Sequence, residues 1–188
     1  MEAKSVVAIF LPFKNEALFL ESCLSSISRQ SFTHFTVYMV DDHSHDESPE
    51  IARKWMAQDK RFILFQNKGI GVIDAFKTVI PLISEPFFSR MDADDVMPER
   101  KLEILHAALE KAGPGHVLSG LVEYFPKDGV SPAYKRYEEW LNQICLQNTF
   151  TEHLFRECVV PACSWMMFSE EFKQNIPQNW KFPEDYHL

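Results

Sequence analysis

Residues 6 to 11 (VVAIFL) form an almost unbroken apolar run rich in β-branched side chains, the pattern of a strand covered on both faces of a parallel sheet. After Pro12-Phe-Lys-Asn-Glu16, apolar residues return at helical spacing (Leu20, Cys23, Leu24, Ile27), which predicts a helix with Asn15 as its N-cap. The unit then recurs. Residues 35 to 40 read as a second strand and 41 to 48 as a polar loop. Ser48-Pro49-Glu50 supplies a cap, a proline at the first helical position and an acid in the first turn, for a helix running to about Met56. Residues 61 to 66 predict a third strand, 70 to 83 a helix, and 87 to 91 a fourth strand. From Pro98 to Ala112, Leu102, Leu105, Leu109 and Ala112 share one helical face, and Gly113-Pro114 ends it. Strand and helix alternate through four units, which implies right-handed crossovers, a parallel sheet, and ligands beyond the carboxyl ends of its strands.

Beyond this repeat, residues 117 to 125 predict another strand and 126 to 133 a loop. Residues 137 to 146 and 151 to 157 predict helices, and 162 to 168 an extended segment. The expected class is α/β, a Rossmann-type sandwich with a mostly parallel central sheet flanked by helices. With 188 residues, 46% of them hydrophobic, the chain suits one packed domain spanning 1–188.

Charge narrows the partners. Against 19 Lys and Arg stand 27 Asp and Glu, a net charge of -8 that excludes nucleic-acid binding through diffuse phosphate attraction. A polyanionic ligand then needs a metal ion or a locally positive pocket. The four cysteines (Cys23, Cys145, Cys158, Cys163) contain no CxxC pair and do not form a disulfide framework, which points to a reducing compartment. The first apolar run is preceded by Glu2 and broken by Pro12, too short for a signal peptide or a membrane span. A soluble, cytoplasmic protein with at most peripheral membrane contact is expected.

The chemistry concentrates in Arg90-Met-Asp-Ala-Asp-Asp95. Residues two apart on an extended chain point to one side, so Asp92 and Asp94 present two carboxylates together at a strand end. Two hard oxygens suit Mg2+ or Mn2+, with water and phosphate completing the coordination. Taken alone, the same residues also suit a solvated acidic turn before the helix from Pro98. Residues 40 to 48 (VDDHSHDES) follow the second strand at the same sheet edge. Their acids can accept from a base N–H or a ribose hydroxyl, or Ser44 and Asp46 can satisfy a local turn. His43 and His45 read as solvated. Cys145, Cys158 and Cys163 with His153 match no zinc spacing, and Trp140, Met166 and Met167 read as packing. Trp165 also reads as packing, or as an aromatic platform for a sugar.

Four segments in order after successive strands, Pro12-Phe-Lys-Asn-Glu16, Asp41-Asp-His-Ser-His-Asp46, Asn67-Lys-Gly69 and residues 90 to 100 (RMDADDVMPER), resemble the donor-binding half of a family 2 glycosyltransferase with the GT-A fold. Residues 182 to 188 (FPEDYHL) resemble the family's ED motif. The resemblance implies a nucleotide-diphospho-sugar donor, UDP-sugar favoured, and a sugar or lipid-linked acceptor in surface polysaccharide or glycolipid synthesis. It implies that Pro12, Phe13 and Glu16 line the base and ribose pocket, with Phe13 stacking, and that Asp41 and Asp42 read base and ribose. Asp92 would hold ribose, and Asp92 and Asp94 the Mn2+ or Mg2+ that bridges the diphosphate. Asp95 would support the loop, and Lys68 and Arg90 would neutralise phosphate. Asp185 would be the general base of an inverting transfer, with Glu184 positioning the acceptor. Residues 1–116 become a donor half and 117–188 an acceptor half, expected to be truncated because the sequence stops three residues after Asp185. Two alternatives stay open: a nucleotide-sugar-binding domain without turnover, and a nucleotidyltransferase, although the first loop has no glycine.

Overall fold

A computed structural model describes residues 5–125, 129–153 and 158–175. Among these, β1 (Val7–Phe13), β2 (Phe35–Asp41), β3 (Phe62–Gln66), β4 (Phe87–Arg90), β5 (Leu118–Ser119) and β6 (Trp165–Phe168) form one sheet in the order β3-β2-β1-β4-β6-β5. Pairing is parallel from β3 through β2 and β1 to β4, and β6 runs antiparallel to both β4 and β5. The sheet is therefore mixed and mostly parallel, of the α/β class that the alternation predicts.

Side-chain alternation along the central strand explains why both of its faces are covered. Val7, Ile9, Leu11 and Phe13 point into one core with α1 (Leu20–Ser28), α2 (Ser48–Gln58) and α4 (Lys101–Ala112). Ala8 and Phe10 point into the other, against α3 (Val72–Val79) and Phe172 of α7 (Ser169–Gln174). That second core is aromatic: Phe10 stacks on Phe76 at 4.0 Å, and Phe88 on Phe172 at 4.1 Å. Each such ring removed from water contributes roughly 1.5–3 kcal/mol.

Several expected boundaries move, for physical reasons. Asn15 does not cap α1, which begins at Leu20 behind Phe19 with no side-chain cap. Instead Asn15 adopts a left-handed backbone (φ 57°), and its side chain accepts the His45 N–H at 2.8 Å. The third helix starts at Val72, after Gly71, and gives way at Ile80–Leu82 to a 3-10 turn containing Pro81, whose ring removes a backbone donor. The fourth begins at Lys101, because Pro98 and the residues before it belong to an irregular loop.

The strand expected at 117–125 shrinks to Leu118–Ser119, since β6 itself begins only at Trp165, the partner of Ser119. Past that point α5 (Pro132–Gln147) substitutes for a ladder. Asn142 donates to the Val122 carbonyl and accepts its N–H, and Glu138 accepts the N–H of Tyr124. Of the predicted helix at 151–157, the described part is α6 (Phe150–His153). Before β6, the stretch expected to be extended opens with a 3-10 turn at Ala162–Ser164, and α7 had no counterpart in the sequence reading. Among the described residues no helix is long and apolar enough to cross a membrane.

Candidate active site

Strands β2, β1 and β4 are neighbours in the sheet, and their carboxyl ends set three loops side by side. The ladder continues one step past each end. The Asp42 N–H donates to Phe13 O, Asn67 N–H to Asp41 O and Met91 N–H to Phe10 O, all at 2.9 Å. The first side chains after these strands then border a cleft of about 240 Å³, lined by Pro12, Phe13, Lys14, Glu16, Asp42, Val72, Ala75, Arg90, Asp92, Ala93 and Asp94.

Asp42 is the most firmly held of its acids. Its Oδ1 accepts from Asn67 Nδ2 at 2.6 Å and from the Gly71 N–H at 2.9 Å, and its Oδ2 faces Lys14 Nζ at 3.4 Å. Burial works to raise this carboxyl, but the Gly71, Asn67 and Lys14 donors outweigh it and hold the group below the usual carboxylate range. Arg90, almost fully buried at the end of β4, grips Asp92 Oδ1 through Nε and a terminal nitrogen, each at 3.0 Å. Its guanidinium also lies 5.9 Å from the centre of the Phe76 ring. Asp92, Ala93 and Asp94 all line the cleft, and Ala93 also packs against the core.

The cleft is crowded with negative charge. Glu16 has its carboxyl pushed up by burial and then by the charges of Asp94, Asp46 and Asp92. A cation there would relieve that crowding. Among the described residues no group of three or more His, Cys, Asp or Glu gathers into a protein-only metal cage. The paired carboxylates instead fit a hard divalent ion that takes its remaining ligands from water and ligand oxygens.

Not every predicted site residue reaches the cleft. Asp41 is 5% exposed, and its Oδ1 accepts the Ser44 N–H at 2.9 Å, so it shapes the turn and is absent from the lining. Lys68 is exposed outside the lining, with its backbone N–H on Thr78 Oγ1. Phe13 is 3% exposed and belongs to the core, which corrects the expectation of an open ring face for stacking. Glu184 and Asp185 lie outside the described residues. Ser44 and Asp46 stitch the first two loops together: Ser44 Oγ accepts from Asn15 N, and Asp46 accepts from Ala17 N and from Ser48.

On the far side of the acidic loop a larger cleft, about 480 Å³, shares Asp92 and adds Asp95, Lys101, Glu123, Tyr124, Phe125, Pro161 and Cys163. Sequence reasoning missed this wall because residues 121 to 125 read as strand. Tyr124 and Phe125 are its partly exposed aromatics, whereas Trp165, considered as a sugar platform, is fully buried. Lys101 Nζ donates to the Cys163 carbonyl. Burial raises the Asp95 carboxyl despite a hydrogen bond with the Cys163 thiol, and burial pushes that thiol up to about 12.

Residues 8–173 match glycosyl transferase family 2. The chain belongs to this family. Glycosyltransferase GlyG of Streptococcus pneumoniae serotype 4 is 26% identical over 125 residues, covering 66% of this chain and 42% of that protein. An uncharacterized glycosyltransferase of Haemophilus influenzae is 22% identical over 193 residues, covering 99% and 59%. Among solved structures, the Staphylococcus aureus TarS 1–349 complex with UDP superposes with a TM-score of 0.71 at 18% identity, covering 96% of this chain and 53% of that one. The mannosyltransferase PcManGT of Pyrobaculum calidifontis, in complex with GDP-Man and Mn2+, gives 0.65 at 17% identity, covering 92% and 47%. These likenesses establish the GT-A fold. The chain spans about half the length of the relatives it matches.

Proposed function

We propose that the chain binds a nucleotide-diphospho-sugar in the smaller cleft and transfers the sugar, with inversion, to an acceptor hydroxyl entering from the larger one. UDP-sugar is the favoured donor and a sugar or lipid-linked molecule the acceptor, with Mn2+ or Mg2+ as cofactor. The observation that carries this reading is the meeting of Asp42, Asp92 and Asp94, from two separate crossover loops, in one cleft at the carboxyl edge of a parallel sheet. Family membership and the donors bound by structural relatives, UDP-GlcNAc in TarS and GDP-Man with Mn2+ in PcManGT, add support.

In this reading Pro12 and the Phe13 backbone floor the base pocket, Lys14 and Asp42 read the base edge and ribose, and Glu16 bounds it. Asp92 and Asp94 would hold the divalent ion, which when bound compensates the diphosphate charge and eases departure of the nucleotide. Arg90 orients Asp92 through two charge-assisted contacts to one carboxylate oxygen. Lys68 and Asp41 act around the cleft, through the neighbouring loops. Asp185 takes the acceptor proton and Glu184 orients the acceptor, assignments that rest on the motif resemblance alone. Residues 1–116 are taken as the donor half and 117–188 as the acceptor half. Cytoplasmic assembly of a surface polysaccharide or glycolipid is the proposed setting, in keeping with four cysteines that are all thiols.

The test is a thermal-shift panel of UDP- and GDP-sugars with and without Mn2+, followed by product analysis with the responding donor. A ligand at a hundred times its Kd stabilises the native state by about 2.7 kcal/mol, so one donor should raise the melting point clearly with Mn2+ present. A panel in which none does so contradicts the reading.

A further inference from the structure

The two cleft-facing carboxylates sit on residues 91–100, a stretch that belongs to neither strand nor helix. Its shape therefore comes from outside. One face of α1 and the residues just beyond it supply the hold. The Cys23 thiol donates to the carbonyl of Asp92 at 3.4 Å, and Ser26 Oγ accepts the Met97 N–H at 2.9 Å. Gln30 uses both ends of its amide: Nε2 donates to the carbonyls of Pro98 at 2.6 Å and Met97 at 3.4 Å, and Oε1 accepts the Leu102 N–H at 3.1 Å. The Ser31 N–H adds a bond to the Glu99 carbonyl at 2.9 Å.

Ser26 is 2% and Gln30 3% exposed. Burying an amide so completely carries a desolvation cost that an apolar side chain would avoid, and the cost is offset only because every bond goes to the acidic loop and the helix start behind it. Gln30, just past the end of α1, serves three backbone groups around Pro98 through its side chain. Cys23, Ser26 and Gln30 thus fasten the loop at its beginning, middle and end.

We infer that Gln30, with Ser26, is a positioning residue of the donor site, fixing the loop so that Asp92 and Asp94 stay at the spacing a divalent ion and a diphosphate require. This rests on the donor reading above. The base end of the cleft, at Pro12 and Asp42, is built from other loops and does not depend on the clamp.

The experiment compares the wild type with Gln30→Leu and Ser26→Ala, recording UDP and GDP affinity with Mn2+ by calorimetry and uridine and guanosine affinity by NMR titration. Direct hydrogen-bond partners of metal ligands contribute about 10- to 100-fold, and Gln30 acts a step further out through Met97, Pro98 and Leu102, so Gln30→Leu should weaken Mn2+-dependent diphosphate binding by about three- to tenfold while nucleoside binding holds. Ser26→Ala, which removes a single hydroxyl, should give a smaller loss of the same kind and decides the matter if Gln30→Leu does not fold. Unchanged diphosphate affinity in a folded variant, or a parallel fall in nucleoside and diphosphate affinity, would overturn the positioning role while leaving the donor reading intact. A wild type that binds no nucleotide would remove both.

Discussion

Asp42 owes its place to three donors on two segments, Lys14 after β1 and Asn67 and Gly71 after β3, and so joins the first three crossover loops at one carboxylate. Asp42→Ala would strand the Gly71 N–H and the Asn67 amide, and is expected to cost about 1–3 kcal/mol in urea unfolding. Because the folded carboxyl is held low, its contribution is fully present above the unfolded value, about 3.9, and is lost as the pH falls through the folded one. The stability gap between wild type and Asp42→Asn should accordingly be constant near neutrality and narrow in acid; a gap that widens below pH 4 would contradict the assignment. Phe13 behaves otherwise. Its ring fills the core, so Phe13→Ala should cost about 3–5 kcal/mol, read by thermal unfolding. A stacking ring on the surface would have been nearly free to remove. The sequence could place Phe13 beside the cleft but not say which way it pointed, because strand parity at a loop boundary depends on where the ladder stops.

At the scale of elements, the four strand-helix units of the donor half were legible because uninterrupted β-branched runs and helical periodicity encode them locally. Past Ser119 the helix expected at 137–146 and the extended stretch at 162–168 were legible too, as α5 and β6, but the path of residues 120–125 was not, since the backbone of Val122 and Tyr124 bonds to Asn142 and Glu138 side chains across the sequence, which no local pattern announces. The same holds for the clamp at Cys23, Ser26 and Gln30: a buried serine in the amphipathic α1 looks like an interruption of its apolar stripe, and a glutamine just past the helix end looks like a surface residue, although both contact the acidic loop. Gly71, inside the helix expected over 70 to 83, is instead its N-cap, at φ 83° and ψ 174°, a conformation essentially confined to glycine. An added Cβ would meet nothing within 4 Å, so Gly71→Ala should cost only the backbone penalty, about 1–3 kcal/mol in denaturant unfolding. No loss would mean that the loop rearranges freely.

For the whole molecule, a net charge of -8 means that an anionic ligand beside these carboxylates needs a cation or a locally positive pocket. If the clefts on either side of Asp92 take donor and acceptor as proposed, one loop borders both, and the order of loop motifs along the sequence then says more about function than any single motif. Asp185→Asn is expected to abolish transfer while donor affinity stays within a few-fold; unchanged turnover would remove the base assignment. The most direct measurement is calorimetric titration of UDP and GDP into the wild type and into Asp92→Asn and Asp94→Asn, in Mn2+ and in EDTA. Mn2+ should tighten wild-type binding of one nucleotide by at least about tenfold, a coupling of about 1.4 kcal/mol or more, and either substitution should erase most of the gain. Equal affinity with and without the metal, or full retention in both variants, would contradict the metal's role.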